Sequence, residues 1–218
     1  MDLVDVWPVF RLRLRSPRLE LRPVRDDDLP GLAEAALDGV HPPGRTPFGV
    51  PWTDAPREEL LPNLARFVWR ERAAVAPNEW NLLLAVVEDG RPIGVQDLRA
   101  TNFAELRTVS SGSWLTRARQ GLGFGAEMRA ALLLFAFDHL GATVAESEAY
   151  DWNAASRAVS TKLGYRENGV ARRSPRPGVV EDEVRFRLEA AEFRRPEWAL
   201  EVSGIDEARP FLLSSVPA

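Results

Sequence analysis

Gln120-Gly121-Leu122-Gly123-Phe124-Gly125 stands where two different patterns meet. Upstream, Leu106 to Leu115 reads as a strand; downstream, the chain reads as a helix lasting to about Leu140, with an unbroken apolar run from Ala130 to Phe137. A strand that runs into a glycine-rich turn, which itself opens a helix, is suited to an anion. The first backbone N–H groups have no intrahelical acceptor, and the aligned peptide dipoles favour negative charge there. Glycine at 121, 123 and 125 keeps a Cβ out of the ligand's way and permits positive φ.

Three nucleotide readings compete for this loop. A Walker loop requires Gly-Lys-Ser/Thr, and Lys162 is the only lysine of the chain. A dinucleotide-binding loop sits early in a βαβ unit with an acid about twenty residues later; here the loop follows a strand meander. The third form, Gln/Arg-x-x-Gly-x-Gly/Ala, is matched by Gln120, Gly123 and Gly125.

Working outward, Arg18-Leu19-Glu20-Leu21-Arg22-Pro23-Val24 alternates apolar and charged residues, which predicts a strand with one buried face. Asp26, Asp27 and Asp28 stand where N-cap and first-turn acids belong, ahead of Leu29, Leu32, Ala33, Ala36 and Leu37 at helical spacing. The proline-rich stretch His41 to Pro56 predicts a loop, an unusually apolar one carrying Phe48, Val50 and Trp52. A second helix follows to about Val75, with Leu60, Leu64, Phe67 and Val68 as its stripe and Pro62 marking a late start or a kink. Trp80 to Val87 and Pro92 to Arg99 flank Asp89-Gly90, a strong hairpin signal. After the long helix, Thr143 to Ala149 alternates like a strand. Asn153 then suits an N-cap and Gly164 a C′ position, for a helix facing Ala158, Val159 and Leu163 inward. A strand is expected over Trp198 to Val202 in the tail.

With 218 residues, 45% of them apolar, the chain suits one α/β domain with decoration rather than two full domains. A net charge of −4 argues against a nucleic-acid partner, which calls for surplus positive charge. The lack of cysteine excludes disulfides and thiolate nucleophiles, and His41 and His139 are too few for a His-rich metal site, so no metal is expected. No apolar run is long enough to span a bilayer, so a membrane partner is not expected either; the chain reads as cytoplasmic.

The loop, its place after a strand meander, and the block Asn153-x-x-Ser156 followed by Lys162-Leu163-Gly164-Tyr165 together resemble the GNAT superfamily of acyltransferases. More narrowly they are similar to its ribosomal-protein N-terminal acetyltransferase (RimJ/RimL-like) branch, whose usual first strand Ser16 to Pro23 also resembles. The resemblance implies an α+β, α/β/α-layered fold with a mixed, mostly antiparallel sheet splayed between the fourth and fifth strands. It implies a single domain over 1–218, with a core of about 16–193, an N-terminal extension 1–15 and a C-terminal extension 194–218; the tail from Arg194, exceeding the minimal domain, is expected to help form a homodimer. It implies acetyl-CoA, or succinyl-CoA as proposed for an actinobacterial subgroup, as co-substrate. Gln120, Gly121, Gly123, Phe124, Gly125 and Ala126 would hold the pyrophosphate, and the main chain of Trp114 and Leu115 the pantetheine amides. Asn153 would touch the pantetheine arm, and Ser156 would lie near the sulfur and protonate the departing thiolate. Read without the resemblance, Ser156 is a helix-surface hydroxyl and Asn153 a cap.

The implied reaction is direct attack of a primary amine (of a protein N-terminus, a lysine or a small molecule) on the thioester carbonyl. The general base is open: Glu105, Glu146, Glu148, Asp97 and His41 are candidates, each with a structural reading of its own. A non-catalytic acyl-CoA sensor or assembly module of the same fold is the alternative.

Overall fold

The structure, a computed structural model, describes residues 1–213. A short helix, Leu3–Val6 (α1), and a 3-10 turn at Pro8–Arg11 lead into strands Arg13–Arg15 (β1) and Glu20–Pro23 (β2). Helices Leu29–Leu37 (α2) and Arg57–Ala73 (α3) follow, then strands Trp80–Glu88 (β3) and Arg91–Ala100 (β4). Asp89 and Gly90 both take positive φ, 47° and 78°, as a tight hairpin turn between right-twisted strands requires. Next come the short helix Phe103–Leu106 (α4), strands Thr108–Ser110 (β5) and Ser113–Leu115 (β6), and helix Phe124–Leu134 (α5), which continues as a π turn through Leu140. Strand Val144–Tyr150 (β7), helix Ala154–Leu163 (α6), the hairpin Arg166–Arg176 (β8) and Val179–Glu189 (β9), strand Glu201–Ser203 (β10) and helix Ile205–Leu212 (α7) follow within the described residues.

The sheet runs β10-β1-β2-β3-β4-β5-β7-β9-β8, with β6 paired to β4 off that path. Every pairing is antiparallel except β5 with β7. This is the mixed, mostly antiparallel sheet of the expected α+β fold. Alternation sends Leu83, Ala85, Val87 and Val95 to one face, where they pack with Leu32, Leu64 and Val68 of α2 and α3. Leu82, Leu84, Leu98, Val109, Ala145 and Phe186 go to the other, against α5. The layering is thus helix, sheet, helix.

Five local expectations change. The single strand over Leu106 to Leu115 is broken into α4, β5 and β6, because Arg107 takes a left-handed φ of 46° and the chain kinks at Ser111-Gly112. Phe67 is exposed rather than part of the α3 stripe, and Ala158 points to solvent while Ser160 is buried in its place. α3 begins at Arg57 and runs through Pro62. The tail strand lies at Glu201–Ser203 and pairs with β1, Arg13 opposite Ser203.

That pairing changes the reading of both ends. Val9, Phe10, Leu12 and Leu14 are core residues, and so are Ala208 and Leu212, with Phe211 stacked edge-on to Trp7 at 5.2 Å. Ala208 and Leu212 of the tail are thus buried within their own chain. Leu212→Ala, emptying a fully buried site, should lower stability by about 2–5 kcal/mol. A denaturation midpoint indistinguishable from wild type would show the tail to be an appendage.

Candidate active site

The sheet opens at one place. Thr108, Val109 and Ser110 of β5 pair with Val144, Ala145 and Glu146 of β7, and the Ser111 N–H still donates to the Glu146 carbonyl at 3.2 Å. Beyond that point β6 stays with β4 and no longer meets β7. Asp97 forces the parting. Its N–H donates to the Gly112 carbonyl at 2.9 Å while its carboxylate accepts the Gly112 N–H at 2.6 Å. A Cβ on Gly112 would stand 3.0 Å from that carboxylate, a tight contact to which the side chain of Asp97 would have to give. The splay expected between the family's fourth and fifth strands is therefore the parting of β6 from β7.

Ladder alternation decides which backbone groups face the gap. Asp97 with Gly112, and Thr116 with Ile93, are hydrogen-bonded pairs, so Trp114 between them bonds to Val95, its ladder partner. The N–H groups of Ser113 and Leu115 point the other way, into the gap. On the far bank, the bonds Asp151 to Asp182 and Ala190 to Thr143 commit the odd residues of β7 to β9. The main chain of Glu148 and the N–H of Tyr150 face the gap. Of the two residues expected to meet a ligand's amides, Leu115 offers its N–H and Trp114 does not. Trp114 instead contributes its ring, 5.6 Å from Trp52, to a cluster with Phe48 and His41.

The glycine-rich loop lies at the open end of the gap. Gly121 and Gly123 take φ of 74° and 87°, and from Gly121 to Ala126 no backbone N–H meets an acceptor among the described residues. Gly125 sits at van der Waals distance from Val159 of α6, 3.7 Å from where its Cβ would stand. Phe124 is buried under the Arg18 guanidinium, 4.3 Å from the ring centre. Gln120 has a different role from the one expected. Its amide donates to the carbonyls of Leu115 at 2.8 Å and Val40 at 2.6 Å, tying the loop to β6 and to the proline-rich segment.

Glu127 holds the loop from below. Buried in the first turn of α5, it accepts from Ser16 Oγ (2.8 Å), the Arg18 N–H (2.9 Å) and Arg18 Nε (2.7 Å), while Arg18 Nη1 donates to the Leu122 carbonyl at 3.1 Å. Sequence reasoning passed over it, since a first-turn acid reads as a dipole complement. Two charges, Glu127 and Arg129, inside an otherwise apolar helix were the available signal. Arg129, 4% exposed, reaches the gap from beneath: Nη1 donates to Ser147 of β7 at 3.0 Å and Nη2 to Ser113 of β6 at 3.5 Å. Its Nε meets no hydrogen-bond partner among the described residues.

Asn153 caps α6, accepting the Ser156 N–H at 3.2 Å, and Gly164 ends it at a φ of 101°. Asn153 and Ser156 are half-buried at the start of that helix, straight after β7. The acids sort by their partners. Asp97 holds Gly112 and Arg99, and burial pushes its carboxyl up against the pull of Arg99. Glu146 pairs with Arg187. Glu148, two residues past the parting, is raised by burial and then by Glu183, against the opposing pull of Arg173. Glu105 lies on α4. His41 is spent within its loop: Nδ1 donates to the Pro42 carbonyl at 2.9 Å, which leaves Nε2 to accept from Thr53 at 2.6 Å.

The parted sheet and the free N–H groups of the helix beneath it thus leave two bare strand edges and an anion-ready helix start around one gap. The family model described as "Acetyltransferase (GNAT) domain" matches residues 18–166, and the chain belongs to this acetyltransferase (GNAT) family. Among solved structures it is similar to Mycobacterium smegmatis RimJ in complex with CoA-disulfide, at 22% identity and a TM-score of 0.67 over 94% of this chain and 95% of that one. It also resembles a GCN5-related N-acetyltransferase from Brucella melitensis (19% identity, TM-score 0.64, 83% of this chain and 79% of that one). A third likeness is RimL, a ribosomal L7/L12 alpha-N-protein acetyltransferase in complex with coenzyme A (17% identity, TM-score 0.61, 80% of this chain and 95% of that one). At these identities the likeness is one of fold.

Removing the Glu127 carboxylate strands two part-buried donors and frees Arg18 from Leu122. Glu127→Ala should cost about 1–3 kcal/mol, Arg18 being partly hydrated already. A urea midpoint equal to wild type would show the clasp to be ornamental.

Proposed function

We propose that the protein is an acyl-CoA-dependent N-acyltransferase that moves an acyl group from coenzyme A to a primary amine in a ternary complex. The observation that carries this reading is the pair of unpaired strand edges leading to a run of free N–H groups. An amide-bearing arm can pair with Ser113 and Leu115 on one bank and Glu148 and Tyr150 on the other. The pyrophosphate then falls to the N–H groups of Gly121 to Ala126, where the dipole of α5 favours it.

In this reading the acceptor nitrogen loses a proton to Glu148 and attacks the thioester carbonyl carbon. The gap-facing N–H of Ser113 or Leu115 receives the developing oxyanion, the C–S bond breaks, and Ser156 protonates the departing thiolate. Glu148 is preferred over Asp97 and Glu146 because those two are engaged by Gly112 and Arg187. The acceptor would approach on the face roofed by the proline-rich loop and the β8–β9 turn, which meet where Arg176 donates to the Gly44 carbonyl at 2.9 Å. Acetyl is the default acyl group and succinyl the alternative. Likeness in fold to RimJ and RimL supports a protein N-terminus as acceptor.

Two measurements test this. Gly121 has open space around it, so a side chain there meets only the strain of its positive φ, which aspartate bears better than most residues, and Gly121→Asp should fold with a modest loss of stability. It should nonetheless abolish thermal stabilisation by coenzyme A; undiminished stabilisation would refute the placement of the pyrophosphate. Because the Glu148 carboxyl is raised, it stays protonated to higher pH than an ordinary glutamate, and kcat/KM should rise with pH through a limb displaced upward. Glu148→Gln should remove that limb and lower kcat at least tenfold. An unchanged profile assigns the base elsewhere, and coenzyme binding without thiol release on any amine would favour a sensor.

A further inference from the structure

Past the parting, three oxygen-bearing side chains gather on the face of the sheet that the proline-rich loop roofs. Alternation turns Ala145, Ser147 and Ala149 of β7 toward α5, so Glu148 and Tyr150 stand on the opposite face. Glu183 of β9 lies across the ladder from Tyr150. Tyr150 is 2% exposed, yet its hydroxyl meets no hydrogen-bond partner among the described residues. Its ring stacks on Trp152 at 5.8 Å, and Trp152 carries Arg45 of the proline-rich loop at 5.2 Å. Burial, then the charges of Glu183 and Glu181, keep the phenol protonated; Arg173 and Glu148 act on it too.

One cation serves these groups. Arg173 of β8 donates through Nε to Glu183 at 2.6 Å, and its Nη2 stands 3.9 Å from Glu148. Arg185, which faces Glu148 across the ladder, lies against Gly169 instead. Two carboxylates that repel one another call for a positive charge between them, and the buried one cannot be left alone. Arg173 meets that need loosely. It is half exposed on a hairpin strand, and one Nε bond falls short of the two-pronged grip of Arg22 on Asp28. An ammonium group carries three N–H donors and no acceptor. Glu148, Glu183 and the idle Tyr150 hydroxyl supply one acceptor for each.

We propose that Glu148, Glu183 and Tyr150 form the seat in which the acceptor is received as a primary ammonium ion, and that Arg173 fills this seat until the acceptor displaces it. This rests on the N-acyltransferase reading above. The departing guanidinium makes the room, so no cavity is needed beforehand. One of the three protons held by the seat passes to Glu148. Glu183 and Tyr150 then keep the nitrogen in place while its lone pair turns to the thioester. An N-methylated amine would leave an acceptor of the seat unpaired, which is the ground on which a polar site rejects an analogue.

Calorimetric titration of the intact protein, saturated with coenzyme A, tests this with trialanine, its N,N-dimethylated form and its N-acetylated form. Trialanine should bind, the dimethylated form about tenfold more weakly and the acetylated form not at all. Arg173→Ala removes the competing cation and should tighten trialanine about threefold. Millimolar guanidinium should reverse that gain in the variant and leave the wild type unchanged. Equal or weaker binding of trialanine by Arg173→Ala overturns the proposal, as does guanidinium that strengthens binding or a dimethylated form that binds as well as the primary amine. Should Arg173→Ala fail to fold, Tyr150→Phe takes its place and should weaken trialanine; unchanged affinity then overturns the proposal. Binding of coenzyme A without trialanine defeats this inference alone; no binding of coenzyme A defeats the function it rests on.

Discussion

Asp97 grips Gly112 at two points, and the site depends on that grip. One hydrogen bond is an ordinary ladder bond; the other is made by a half-buried carboxylate to the same glycine's N–H. Together they fix the kink that ends β5 and turns β6 toward β4, leaving β7 with a bare edge. Unpaired strand edges are a liability that proteins usually cover. Here two of them face each other across a gap, which makes sense as a place held for a ligand that completes the sheet.

The elements that depend on near neighbours were legible in the sequence. Asn153 and Gly164 bracket α6 as their types predict, and the free N–H groups at Gly121 to Ala126 follow from glycine spacing and helix geometry alone. The stretch from Leu106 to Leu115 was not legible. Only Gly112 interrupts it, and the break arises from an aspartate fifteen positions before that glycine. The same blindness hid the true use of Gln120, whose partner Val40 lies eighty positions away, and of Glu127, whose partner Arg18 lies over a hundred. A residue type and its spacing can announce a turn or a cap. They cannot announce which distant backbone group will claim a side chain.

Charge in this protein is handled by pairing at the surface and by exception inside. Asp28 is buried but held twice by Arg22, at 2.6 and 2.7 Å, and Glu127 is buried but ringed by donors. Arg129 breaks the pattern, meeting only hydroxyls. The base candidates show the converse: those with strong partners, Asp97 and Glu146, are absorbed into the scaffold, while Glu148 keeps only a distant arginine, 3.9 Å away.

The pairing of β1 with β10 has a consequence for how the chain reaches its native state. Arg13 must find Ser203, and the N-terminal core residues Val9, Leu12 and Leu14 are sealed by Ala208 and Leu212. Contacts between the two ends of a chain carry a large loop-closure entropy and slow folding. During synthesis the first strand therefore waits, its outer edge uncovered, until Glu201 to Ser203 have left the ribosome.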